Sequence, residues 1–109
     1  MATDQALLGA VRDYVSPLGE IVEKRIVKGI GFMWRGNLLC SVSADRLLVR
    51  VDATDYEDWV QSNGAQPMIM GARTAKGWIY IDHSVASTDD GLRTWLDRAV
   101  RYSRNLPKK

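Results

Sequence analysis

The fold is decided by residues 20–51, which read EIVEKRIVKGIGFMWRGNLLCSVSADRLLVRV. Aliphatic and β-branched side chains dominate this stretch, as is typical of strands that pack on one face. Three breaks interrupt it: Gly29, the Arg-Gly-Asn sequence at residues 35–37, and the Ser-Ala-Asp sequence at residues 43–45. Because these residue types favour tight turns, the stretch predicts a meander of about four short antiparallel strands.

Helical patterns flank the meander on both sides. Upstream, apolar residues spaced three and four apart predict a helix over residues 3–15, which Pro17 ends. Downstream, residues 54–57 read Thr-Asp-Tyr-Glu, a capping box that predicts a helix start at Thr54. The last helix is predicted to begin at Ser87 or Thr88 and to end before Pro107.

Between the second and last helices, the sequence contains one clear strand pattern at residues 77–81 and a weaker one around Met68. The predicted order is one helix, four strands, a helix, one or two strands and a helix. This order predicts an α+β fold, with an antiparallel sheet of about five to six strands packed by helices. The length fits a single domain over residues 1–109.

Composition favours a globular protein of the cytoplasm. Apolar residues make up 46% of the chain and charged residues 26%, which is ordinary for a folded domain. No apolar run approaches the roughly 20 residues of a membrane span, and the first residues lack a secretory pattern, so no membrane association is expected. The single cysteine, Cys40, excludes an intramolecular disulfide and suits a reducing compartment.

Several segments together resemble one known family. Residues 31–40 (GFMWRGNLLC) look like a Gly-Phe-x-x-x-Gly hairpin, and residues 47–51 (LLVRV) look like a Leu-x-x-Arg-Val strand. Residues 67–81 look like a Pro-Met…Gly-Arg-x-x-Lys-Gly-Trp segment, while residues 92–95 and 106–109 look like a closing helix and tail. In this order and at compatible spacing, from about Leu18 onwards, they resemble the N-terminal domain of the TfoX competence regulators.

The resemblance implies a stand-alone domain with a regulatory role, linked to transcription or competence, that works through protein contacts. Full-length TfoX regulators carry a second, C-terminal domain, to which the resemblance does not extend. The chain departs from the family pattern at two places. Residues 26–29 read Ile-Val-Lys-Gly where the family usually has Met-Phe-Gly-Gly, and Ala72 separates the usual Gly-Arg pair.

The residues offer little for catalysis, a cofactor or a metal. The Gly29-x-Gly31 pattern has Trp34 where a dinucleotide loop needs its third glycine, and it leads into a strand. His83 is the single histidine, so a zinc site would rest on carboxylates. A Cys40–His83 pair needs the fold to join the two residues, whereas a mid-strand cysteine is usually a small buried hydrophobe. We expect no enzymatic activity, no catalytic residue, no cofactor and no metal.

Five residues are candidate contacts for a partner: Trp34, Arg35, Arg50, Arg73 and Lys76. Tryptophan beside arginine is typical of interface hot spots, although packing on the sheet is the favoured interpretation of Trp34. Arg50 lies inside an apolar strand, so it points outward or is paired. Arg73 and Lys76 lie in the least regular segment, where binding residues concentrate. These residues predict a protein partner, or a homodimer formed through a sheet edge or the Trp34–Arg35 turn.

The basic C-terminal end leaves nucleic acid as an alternative partner. The last twelve residues hold no acid and five cations, which are Arg98, Arg101, Arg104, Lys108 and Lys109. A cationic end can contact phosphates, which predicts weak nucleic-acid binding. The favoured interpretation is that these cations serve the C-terminus of a helix, whose dipole is negative there.

Overall fold

Six strands form one antiparallel sheet in the order β1-β2-β3-β4-β6-β5. The computed structural model describes residues 4–26, 29–44 and 46–107. The elements are α1 Gln5–Val15, β1 Ile21–Ile26, β2 Gly29–Trp34, β3 Asn37–Ser43, β4 Arg46–Arg50, α2 Ala53–Trp59, β5 Ala65–Met70, β6 Arg73–Ile81, α3 His83–Ala86 and α4 Asp89–Arg104. The predicted α+β fold is confirmed, and so is the order of its elements apart from the additional short helix α3.

Strands β1 to β4 form the predicted meander, in which each strand pairs with the next. The turn between β2 and β3 has positive φ angles at both central residues, 55° at Arg35 and 85° at Gly36. Two left-handed residues make a hairpin turn whose twist matches that of the flanking strands. After β4, the chain passes through α2 and β5 and returns as β6, which pairs with β4 on one side and β5 on the other.

The helices cover one face of the sheet. Alternate residues of the central strands, such as Leu47 and Val49 on β4 and Ile79 on β6, are 0% exposed. They belong to one core cluster together with Val11 of α1 and Leu96 of α4. Side chains of a strand alternate between the two faces, so the intervening residues of the same strands lie on the face that carries no helix.

The starts of two helices test the capping predictions. Helix α2 begins at Ala53, because the Asp52 carboxylate accepts the Thr54 N–H at 2.8 Å and the Thr54 hydroxyl at 2.7 Å. The prediction of Thr54 as the cap is therefore wrong by two residues, since a carboxylate just upstream takes that role. Thr88 caps α4 as predicted, with its hydroxyl oxygen accepting the Gly91 N–H at 3.0 Å.

Other boundaries differ modestly from prediction. Strand β6 begins at Arg73 rather than Gly77, because residues 73 and 74 pair with the edge strand β5. Helix α3 at His83–Ala86 was not predicted, since four residues carry too short an apolar pattern to detect. Thr3, where the first helix was predicted to start, and Asp45 of the third break lie outside the described residues. None of the helices in the described ranges has the length and apolarity to cross a membrane.

Candidate binding surface

The sheet face without helices exposes apolar side chains near both of its edges. Ile69 on β5 is 63% exposed and Val22 on β1 is 62% exposed. Val22 shares this face with Ile26, because alternate residues of a strand point the same way. Single exposed apolar side chains are common on protein surfaces. An exposed apolar side chain that continues into a larger apolar patch is unusual, and such patches mark interaction sites. We call this side of the sheet the uncovered face.

A groove of about 390 Å³ crosses the uncovered face. It is lined by Ile26, Leu38, Ser41, Ser43, Leu48, Met68, Ile69 and Tyr80. Strands β1 and β5 are the two edges of the sheet, yet both contribute to this one groove, so the sheet curves around it. We call this feature the sheet groove.

Gly31 on β2 leaves room for the side chains of Leu38 and Ile26 in the wall of the sheet groove. A Cβ atom at this position would lie 3.1 Å from Cδ1 of Leu38 and 3.4 Å from Cγ2 of Ile26, tighter than most real contacts. The neighbouring Gly29 allows a close backbone approach, because a Cβ there would collide with the carbonyl oxygen of Val42. Both glycines are thus explained by the close packing of β2 against its neighbours β1 and β3.

Ser41 places a polar atom in the lining of the sheet groove. Its side chain is 0% exposed, and its Oγ has no hydrogen-bond partner among the described residues. A buried hydroxyl without a partner costs free energy, on the order of 1–3 kcal/mol. Ser103 Oγ of α4 is in the same condition, but it does not line the groove.

Positive charge borders the sheet groove. Arg46 pairs with the groove residue Ser43 across β3 and β4, and its guanidinium carbon lies 4.1 Å from the centre of the Tyr80 ring. Lys24 lies on the same face of β1 as Ile26, two residues away. The rim of the groove therefore carries at least two cations.

The acidic residue of β1 lies on the face of the sheet that the helices cover. Glu23 is the single Asp or Glu within the described strands, and its Oε2 atom lies 2.8 Å from Nε of Arg12 on α1. This hydrogen bond from Arg12 holds the pKa of the Glu23 carboxyl below its usual value. The strand residues of the uncovered face are thus free of acids over the described part of the sheet.

Two arginines tie the helices to the sheet and to each other. The guanidinium carbon of Arg50 lies 5.5 Å from the ring centre of Trp78 and 5.4 Å from that of Tyr102, which joins β6 to α4. Arg98 lies 4.4 Å from the ring centre of Trp59 and 4.6 Å from that of Trp95. Burial is the main cause that lowers the pKa of Arg98. The sequence predicts that Arg50 either points outward or is paired, and in the structure its guanidinium group contacts two aromatic rings.

The Trp34–Arg35 turn packs against the C-terminal end of α4 and the residues that follow it. Trp34 is 7% exposed and belongs to the core. Arg35 Nη1 donates to the carbonyl oxygen of Arg104 at 3.4 Å, and Asn37 Nδ2 donates to that of Pro107 at 2.9 Å. The favoured packing interpretation of Trp34 is confirmed, and its interpretation as an exposed anchor is wrong because the indole is buried in the core.

Arg73 and Lys76 lie apart from the sheet groove, at the start of β6. With Thr74 and Ala75 they line a separate depression of about 460 Å³. Lys76 Nζ is 4.0 Å from Glu57 Oε1, and both side chains are about 70% exposed, so solvent screens this ion pair. The five candidates from the sequence are therefore spread over three places and do not form one site.

Cys40 and His83 do not form a catalytic pair. Cys40 is 0% exposed in the core, and burial raises the pKa of its thiol to about 12. His83 instead has its Nε2 atom 3.0 Å from Oδ2 of Asp4. The hydrogen bond from the Leu7 N–H is the main cause that lowers the pKa of the Asp4 carboxyl. No group of three or more His, Cys, Asp and Glu suited to a metal occurs within the described ranges.

The five sequence candidates include no residue of the sheet groove. The alternation in Arg46-Leu-Leu-Val-Arg50 indicates that β4 has two different faces, and Met68-Ile69 is an apolar pair in an edge segment. These signals do not reveal which face the helices leave uncovered, because that depends on the path of α1 and α4 across the sheet.

The fold and this surface define a two-layer α+β protein, with helices on one side of an antiparallel sheet and a grooved, uncovered face on the other. The family model of the TfoX N-terminal domain matches residues 13–103. The chain belongs to the TfoX N-terminal domain family, which confirms the resemblance. Comparisons with curated proteins and with solved structures gave no match.

Proposed function

We propose that this chain is a regulatory module without enzymatic activity, which binds another protein through its uncovered face. The observation that carries the proposal is the sheet groove, where the exposed Ile69 and the half-buried Met68 lie beside the buried floor residue Leu48. Contiguous apolar surface in contact with water is the usual mark of a protein-binding site. Membership of the TfoX N-terminal family supports a role in transcription or competence regulation.

The state of the titratable groups supports binding without catalysis. A thiol whose pKa is raised to about 12 stays protonated at neutral pH and is a poor nucleophile. The His83 imidazole lies against the Asp4 carboxylate, whereas the Cys40 thiol is buried in the core. A protein with one buried cysteine is also suited to the cytoplasm, where we place its action.

The contacts of α4 give less support to nucleic-acid binding. Of the five terminal cations, Lys108 and Lys109 lie outside the described residues. Arg98 is held between Trp59 and Trp95, which removes it from a phosphate-binding surface. Arg101 and Arg104 remain exposed in the last turn of the helix, where they complement its dipole.

Affinity capture from the native lysate tests the proposal. The baits are the full chain, its Ile69→Glu variant and its Val22→Glu variant, each used with and without nuclease. Ile69 and Val22 match in residue class, edge position and exposure, but Ile69 alone lines the sheet groove. We expect a discrete protein that survives nuclease with the wild type and Val22→Glu and is lost with Ile69→Glu. Capture that nuclease abolishes, or that Ile69→Glu leaves intact, would contradict the proposal.

A further inference from the structure

We infer that the sheet groove receives an acidic, amphipathic segment of the partner protein, with apolar side chains in the groove and carboxylates on its cationic rim. The inference rests on the proposed function, because it specifies the chemistry of the protein that the uncovered face binds. Three properties of the groove carry it: its apolar lining, the sign of its rim and its buried hydroxyl.

The apolar lining fits side chains of a peptide. Five of the groove residues are aliphatic or methionine, namely Ile26, Leu38, Leu48, Met68 and Ile69. Its volume of about 390 Å³ lies within the range of roughly 300–1,000 Å³ that is typical of ligand-binding pockets. Apolar anchors placed at regular spacing on a helix or strand bind such grooves in many complexes.

The rim selects for negative charge. Arg46 forms no ion pair with any described residue, and Tyr80 holds its guanidinium group in place at 4.1 Å. A planar guanidinium that is fixed beforehand loses less entropy when it binds a carboxylate. Lys24 adds a second cation on the same face. Charge complementarity therefore favours a partner with Asp or Glu beside its apolar anchors.

The charges of the rim disfavour a second copy of the chain, and the lining of the groove disfavours single-stranded nucleic acid. A second copy of the chain, docked face to face, would bring two sets of Lys24 and Arg46 together, and like charges in an interface are costly. Single-stranded nucleic acid binds through exposed aromatic rings on which bases stack. The Tyr80 ring is covered by Arg46, and the rest of the groove lining carries no aromatic residue.

Ser41 supplies the polar anchor inside the groove. Its unpartnered Oγ has no exposed surface in the unbound chain, so it donates to an oxygen of an inserted segment only when the neighbouring groove side chains move aside. Binding would then relieve a cost that the unbound protein carries. A purely structural serine would behave in the opposite way, because its loss would weaken the fold.

Selection from a displayed library of random peptides of about 12 residues tests the chemistry of the occupant directly. The target is the full chain, with counter-selection on Ile69→Glu. We expect the enriched peptides to combine Leu, Ile or Phe with an excess of Asp and Glu. Enrichment of neutral or basic peptides, equal enrichment on Ile69→Glu, or no enrichment at all would overturn the inference.

Affinities of one enriched peptide for variants complete the test. At about 150 mM salt we expect Arg46→Glu to weaken binding about tenfold or more, and Arg93→Glu on the exposed side of α4 to leave it unchanged. Ser41→Ala should weaken binding severalfold without lowering the stability of the unbound chain. Equal affinity for the wild type and Arg46→Glu would contradict the acidic partner.

The two proposals fail separately. If the protein captured from lysate depends on Ile69 but selected peptides lack acidic residues, the proposed function stands and the inference on the partner's chemistry is wrong. If capture does not depend on Ile69, the proposed function is wrong, whatever the selected peptides contain.

A dimer in sedimentation that Ile69→Glu dissociates would assign the groove to a second copy and overturn the inference. Binding of a single-stranded oligonucleotide that Ile69→Glu abolishes would overturn it too.

Discussion

The two faces of the sheet come from the same strands and have opposite physical roles. On β6, Ile79 and Ile81 are fully buried beneath the helices, whereas Tyr80 between them lies on the grooved side. The covered face binds the helices and supplies most of the core, so it sets stability. The uncovered face contributes little core and keeps an apolar groove in contact with water. The difference separates residues that hold the fold from residues available to a partner.

The largest effect expected from this comparison is on stability, and two isoleucines test it. Ile79→Ala on the covered face should lower the free energy of unfolding by about 2–5 kcal/mol, because it leaves a cavity in a packed core. Ile69→Ala on the uncovered face should change it by no more than about 0.5 kcal/mol. Urea denaturation followed by tryptophan fluorescence measures both. Similar losses for the two variants would mean that the faces do not differ as described.

Cys40 gives a smaller effect on the covered face. Cys40→Ala should cost about 1 kcal/mol through a small cavity and leave partner capture intact. Native thiol labelling should be slow and should speed up on unfolding, since the pKa of the thiol is raised to about 12. Rapid labelling of the folded protein would contradict its burial and reopen an enzymatic role.

The raised pKa of Cys40 also predicts the direction of a pH effect. The unfolded thiol loses its proton near its ordinary value of 9.0, while the folded thiol keeps its proton until about pH 12. Above pH 9.0 the folded state therefore binds more protons, and the Cys40 contribution to stability falls as pH rises. The difference in stability between wild type and Cys40→Ala should shrink from pH 9.0 upwards.

Arg98 tests whether the aromatic contacts between helices stabilise the fold. Arg98→Ala should lower the free energy of unfolding by about 0.5–2 kcal/mol, because the guanidinium group packs on Trp59 and Trp95 in a partly desolvated place. Arg93→Ala on the exposed side of the same helix is the control, with an expected change below about 0.5 kcal/mol. Equal losses of unfolding free energy in Arg98→Ala and Arg93→Ala would show that the ring contacts of Arg98 do not stabilise the fold.

Much of the covered face could be predicted from the sequence, because local patterns determine it. The turn at residues 35–37 identified the β2–β3 hairpin, and the three- and four-residue spacing of Leu92, Trp95 and Leu96 identified α4. The start of α2 was missed by two residues, since Asp52 and Thr54 are both good caps and only the fold decides between them.

The binding surface could not be predicted in the same way. The sheet groove joins Ile26 of β1 to Ile69 of β5, which are 43 positions apart in the chain and at opposite edges of the sheet. No local pattern reports such a meeting, because it depends on the curvature of the whole sheet. Arg50 and Trp34 were singled out for their residue types, yet the structure uses both in packing.

The smallest effect is expected at the basic end of α4, which competes with the uncovered face as a binding surface. Five phosphate contacts would give a slope of about −4.5 for the logarithm of DNA affinity against the logarithm of salt concentration. Arg98 is engaged by two indole rings, so Arg101 and Arg104 are the exposed cations of the described helix end. Together with Lys108 and Lys109 of the tail they allow at most four contacts, which predicts a slope no steeper than about −3.6, and we expect weak binding that is lost near 150 mM salt. A titration of duplex DNA over a range of salt concentrations measures this slope, with Arg101→Gln/Arg104→Gln as the test variant and Ile69→Glu as the control. Sub-micromolar affinity at about 150 mM salt that disappears in the arginine variant and survives in Ile69→Glu would transfer the main binding role from the sheet to the helix.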